Sequence, residues 1–194
     1  AALDPIPIAC EIVQALQTMV TRTIDVFDPT VVTVGRISAG TTNNIIPETA
    51  VIEGTIRAIS ERTRAKVRDG IRRVAEGVSA AHDAQVIIEF HDGYPVTVNN
   101  PGSADFALDV AAEVVGAKST VRLPNPVMGA EDFSYVLNRV PGAMVFLGGT
   151  GTDRNPATAA PNHSNRVMFD EAAMVNGVAV YSAMALRHLS GPPS

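Results

Sequence analysis

Apolar positions in the first part of the chain recur with a helical period and then with a strand period. In "LDPIPIACEIVQALQTMVTR", Ala9, Ile12, Val13, Leu16 and Val20 fall at helical spacing. Asp4 stands where an N-cap belongs, and Pro5 in the first turn, where its missing N–H leaves no bond unmade. "FDP" closes this helix. The β-branched run "TVVTVGRISAG" predicts a strand, "TTNNIIPE" a polar turn closed by Pro47, and "TAVIEGTIRAI" a second strand. In that second strand Ile52, Ile56 and Ala58 face one way, with Gly54 between them; Val51, Glu53, Thr55, Arg57 and Ile59 face the other. Strands joined in this way are antiparallel neighbours. Ser60 then caps a helix through about residue 80, striped by Val67, Ile71, Val74 and Val78. "AQVIIEF" reads as a third strand.

The order helix, strand, strand, helix, strand is a split βαβ layer without its opening strand. The expectation is a two-layer, ferredoxin-like α/β unit lacking that inner strand, and hence a piece of something longer. "HDGYPVTVNNPGSA" breaks the regular pattern and marks a boundary. Beyond it, "ADFALDVAAEVVG" predicts a helix, "AMVFLGG" a buried strand, and "FDEAAMVNGVAVYSAMALRHL" a final helix with its apolar stripe toward a core. The second half is therefore alternating α/β, packed on another layer of structure.

Composition narrows the classes. The 194 residues are 46% hydrophobic and 18% charged, as in a folded globular protein long enough for a sizeable core. A net charge of -5 gives no electrostatic footprint for nucleic acid. The basic run "ERTRAKVRDGIRR" is interrupted by acids at helical spacing and reads as a solvated helix face. Cys10 is the only cysteine, so no internal disulfide forms; it reads as a small core residue in a reducing compartment. No apolar run approaches the length of a bilayer span, so no membrane partner is expected, and the location read from the sequence is cytoplasmic.

Several positions could carry chemistry. "MGAEDFSY" puts Glu131 and Asp132 at a helix start, where acids meet free amides as readily as they line a cleft. "FLGGT" ends a strand on glycines that let a ligand approach the backbone. "TTNNII" offers amides, either as an ordinary turn or for an anion. Arg57, inside a strand, must reach solvent, an acid or an anionic ligand. His163, in "PNHSNRVMFDE", is one of four histidines and has no second ligand at metal-binding spacing. On local grounds it is a loop histidine.

Taken together, "VVTVGRISAGTTNNIIPETAVIEGTIRAI", "VMGAEDFSY", "FLGG" and "NHSNRVMFDE" resemble the M20 metallopeptidase family, nearest to amidohydrolases that cleave N-acyl amino acids, such as the hippurate hydrolases and aminoacylase-like enzymes. The resemblance implies a lid or dimerisation domain over residues 1–97 and the C-terminal part of a zinc-peptidase-like α/β catalytic domain over residues 98–194. It implies that His163 is the last metal ligand, that Asn44 and Arg57 hold the substrate from the lid, that Glu131 sits near the metals, and that Gly149 lies beneath the substrate. Two divalent ions, zinc or manganese, a homodimer through the lid, and an N-acyl amino acid or small peptide as substrate follow from the same resemblance. The base and the other ligands are absent from this sequence, so the full-length parent would be the enzyme and this chain alone inactive. A non-catalytic dimerisation or small-molecule-binding module is the alternative.

Overall fold

The computed structural model describes residues 2–191. They form a helix-rich α+β fold with one small antiparallel sheet. Helix α1 spans Pro5–Thr23, strands β1 and β2 span Thr30–Ala39 and Ala50–Ala58, and α2 spans Glu61–Ala81. Then come α3 (Pro101–Val115), the short helix α4 (Ser134–Leu137) and α5 (Ala173–Leu189), with a single 3-10 turn at Ala117–Ser119. The chain divides into two compact units. The first is Ala1–Val96 together with Pro126–Asp132, and the second is Thr97–Asn125 together with Phe133–Ser194.

The first unit is built from local signals that agree with one another. Asp4 accepts the Ile6 amide at 3.0 Å and opens α1. Its buried stripe is Ile8, Ala9, Ile12, Leu16 and Met19. Cys10 is exposed, not a core residue: two positions on from Ile8 is some 200° around the helix, on the solvent side. Ser60 accepts the Thr63 amide at 3.1 Å to open α2, and its hydroxyl donates to Asp28 Oδ2 at 3.0 Å. The Thr63 hydroxyl donates to the same oxygen, so Asp28 ties the end of the α1–β1 connection to the start of α2. Among the described residues, the buried Asp28 Oδ1 has no hydrogen-bond partner.

β1 and β2 pair in register from Thr30↔Ala58 to Ala39↔Ala50, with an irregularity between Val34 and Arg36. Gly54 is required there: a Cβ would lie 2.5 Å from the Thr33 carbonyl oxygen. The α1 stripe and Ala75 form the core, and Ile52, Ile71, Val74 and Val78 pack on it.

The third strand does not form. Residues 84–90 keep a strand's alternation, with Ala84, Val86 and Ile88 packed on the core and Gln85, Ile87 and Glu89 exposed. They pair with no neighbour, and among the described residues the sheet has two strands. A strand is defined by a ladder as much as by alternation.

The second unit departs further from expectation. α3 starts earlier than the pattern implied, because Asn100 accepts the Ser103 amide at 3.0 Å and Pro101 fits the first turn. The segment 143–149 is not a strand, and Val145, Phe146 and Leu147 are exposed. Met144 within it pairs with a side chain: Asn99 donates to the Met144 carbonyl at 2.9 Å and accepts its amide at 2.8 Å. α5 is a helix, but among the described residues none of it is buried, so its stripe meets no core. Its tethers to α3 are the Arg187–Glu113 ion pair at 2.7 Å and the Phe106–His188 ring contact.

Candidate functional site

Asn44, Arg57 and Glu131 fall in the first unit, Gly149 and His163 in the second. Asn44 lies in the β1–β2 connection, fully exposed, and its Oδ1 accepts the Thr42 hydroxyl at 3.1 Å. The connection needs Gly40 at φ +68° to leave β1, which turns the polar segment away from the ladder. Arg57 is on the exposed face of β2, opposite Ile52, Ile56 and Ala58. Its backbone is held by β1, pairing with Val31 and accepting the Thr30 hydroxyl at 2.6 Å. Its Nη1 donates to the Met128 carbonyl at 2.7 Å.

Met128 belongs to the segment that carries Glu131, so the structure brings Arg57 to the Glu131 loop. Sequence reasoning took these as two separate sites, because donor and acceptor stand 71 positions apart. Glu131 is half-buried, and among the described residues its carboxylate has no hydrogen-bond partner. α4 begins only at Ser134 and has no side-chain cap, so Glu131 and Asp132 precede the helix without capping it.

In the second unit, the Gly149 carbonyl accepts the Asp170 amide at 2.8 Å, and a Cβ at Gly149 would come within 3.2 Å of the Phe169 ring. Asp170 in turn takes the Ala172 amide at 3.0 Å, so the glycine-rich segment is joined to the entry of α5. His163 sits at the crest of a tight turn closed by the Ser164 amide to the Pro161 carbonyl, with φ at 70°. A non-glycine residue at positive φ is uncommon and is worth tracing to function. The ring is exposed, and among the described residues it bonds to nothing.

Among the described residues no three His, Cys, Asp or Glu side chains are grouped to hold a metal ion. A single exposed imidazole does not make a metal site, since divalent ions of this kind take three or four protein ligands. The residues present do not by themselves fit a two-metal centre. Three cations of the basic run on α2 are paired: Arg64 with Glu61, Arg68 with Asp92 and Arg72 with Asp69, and Arg68 and Arg72 lie over the Phe90 ring. Among the described residues no helix is long and apolar enough to cross a membrane.

Residues 11–187 match peptidase family M20/M25/M40, and the chain belongs to that family. It is 35% identical over 186 residues to thermostable carboxypeptidase 2 of Saccharolobus solfataricus, covering 95% of this chain and 46% of that protein. It is 31% identical to the hippurate hydrolase of Campylobacter jejuni over 97% of this chain and 47% of that one. The Bacillus subtilis YXEP protein, described as a dinuclear metal-binding peptidase of the M20 family, superposes with a TM-score of 0.76. That match is at 28% identity and covers 95% of this chain and 45% of the other. The chain thus spans about half the length of these relatives.

Proposed function

We propose that this chain is the lid and C-terminal catalytic segment of a metal-dependent amidohydrolase of the M20 type, acting on N-acyl amino acids or small peptides. The observation that carries the reading is the family match over residues 11–187. Relatives that include a hippurate hydrolase and N-acetyldiaminopimelate deacetylases favour the N-acyl-amino-acid branch. Residues 1–97 serve as a ferredoxin-like lid and dimerisation domain, and residues 98–194 as part of the catalytic domain; residues 1 and 192–194 lie outside the described residues.

His163 would contribute one ligand to a pair of zinc or manganese ions, with the remaining ligands and the general base coming from the part of an M20 protein that this chain does not match. Such ions, when bound, would supply an activated water. Arg57 and Asn44 bind the carboxylate and amide of the substrate from the open face of the lid sheet: among the described residues, Arg57 has no carboxylate within ion-pair distance, so its charge is available. Glu131 lines the cleft, and Gly149 leaves room for substrate against the backbone. The assembly is a cytoplasmic homodimer, and the chain alone does not turn over substrate.

The test joins this chain to the unmatched part of thermostable carboxypeptidase 2 and measures hydrolysis of a panel of N-acyl amino acids, with and without chelator. Chelation should abolish turnover, and His163→Ala should lower both metal content and rate. Turnover that survives chelation, or none across the panel, would overturn the reading in favour of a non-catalytic dimerisation or binding module.

A further inference from the structure

Glu131 is held in an unusual way. Pro126–Asp132 packs with the first unit although the residues on both sides of it belong to the second. No regular element spans it, and α4 starts beyond it at Ser134. A hydrogen bond from far along the chain reaches this segment: Arg57 Nη1 donates to the Met128 carbonyl at 2.7 Å. Met128 is half-buried and stands three residues before Glu131, itself half-buried.

Arg57 is suited to such a tie. Its Cα is locked in the β1–β2 ladder, so the guanidinium extends from a rigid base. A guanidinium carries five N–H donors in a planar fork and stays charged. One donor satisfies the Met128 carbonyl and the others remain. Arg36, on the same sheet, is spent differently, in an exposed ion pair with Glu53 at 2.7 Å.

We propose that Arg57 is a positioning residue for Glu131: by holding the Met128 carbonyl it pins the "VMGAED" turn to the sheet and fixes where the Glu131 carboxylate stands. The pinning itself is independent of the proposed hydrolysis; its catalytic consequence rests on that reading. Arg57 therefore acts on the Glu131 loop even when no substrate carboxylate is present.

Two measurements separate these claims. Limited proteolysis of this chain at the Glu131–Asp132 bond by a glutamyl endopeptidase reads the pinning directly. Arg57→Ala and Arg57→Gln should speed cleavage there by about tenfold, the scale of one lost charge-assisted hydrogen bond, with Arg57→Lys restoring part of the protection. Arg36→Ala, which removes a neighbouring charge, should leave the cleavage rate unchanged. Unaltered cleavage in both Arg57→Ala and Arg57→Gln, or an equal rise in Arg36→Ala, would overturn the proposal whatever the enzymology.

The second measurement uses the joined protein of the preceding section and an N-acyl amino acid amide, a substrate with no free carboxylate. Arg57→Ala should lower kcat on this substrate with KM little changed, and Arg57→Lys should recover part of it. An effect confined to KM of carboxylate substrates would show that Arg57 only binds substrate, and would overturn its role toward Glu131. Absence of turnover in the unsubstituted joined protein would count against the proposed function and leave the cleavage result standing.

Discussion

The two units treat their apolar residues in opposite ways. In the first, Ile8, Ile12, Leu16 and Met19 of α1 and Val67 and Ala75 of α2 are buried, and the half-buried residues of β2 and of 84–90 close over them. In the second, Ala107 and Val110 of α3 are the buried apolar residues among those described, while Val178 of α5 is 67% exposed and Leu189 82%. Both contain helices with clear apolar stripes. The difference is that α1 and α2 find each other and a sheet, whereas α5 is left with one flank on α3. Exposed apolar patches of this kind are uncommon on isolated soluble folds. Local pattern decides which face is apolar; it does not supply the surface that covers it.

Paired substitutions would break this comparison if it is wrong. The largest contrast is Leu16→Ala against Leu186→Ala. Leu16 is 5% exposed and its truncation should cost about 2–5 kcal/mol by chemical denaturation. Leu186 is 67% exposed and its truncation should stay within about 0.5 kcal/mol in this chain. Equal losses at the two sites would mean that α5 has a partner surface after all.

Gly54→Ala comes next. Its Cβ would meet the Thr33 carbonyl oxygen, a backbone atom that cannot swing aside, so about 1–3 kcal/mol should be lost. A wild-type midpoint would show that the β1–β2 ladder relaxes freely, and the first unit would then be less rigid than its burial implies. The smallest effect is expected for Ser60→Ala, which removes the α2 cap and one bond to Asp28, at about 1–2 kcal/mol. Here the informative readout is amide exchange in the first turn of α2, which should rise while α5 is unaffected.

Much of the first unit was legible because its signals are short-range. Asp4 and Ser60 cap the residues that follow them, the β1–β2 turn is ten residues long at most between paired ends, and each stripe repeats within a few turns. The third strand and the strand at 143–149 were overcalled for a shared reason: alternation or apolarity predicts an extended segment, and only a neighbouring strand makes it part of a sheet. Cys10 was misplaced because an apolar neighbourhood was read without its angle around α1.

For the candidate site, the residues were nameable from motifs, and their positive features are partly visible: Gly149 beside Phe169, His163 in its turn, Arg57 on an open face. What the sequence determined by itself was the set of local elements, their caps and their apolar faces, because these depend on residues within a few positions of one another. The tertiary structure alone decided that α5 stays uncovered, that 84–90 lacks a ladder, and that Arg57 reaches Met128. A hydrogen bond between residues 71 apart leaves no trace in either local pattern, since it exists only where folding brings a strand and a loop together.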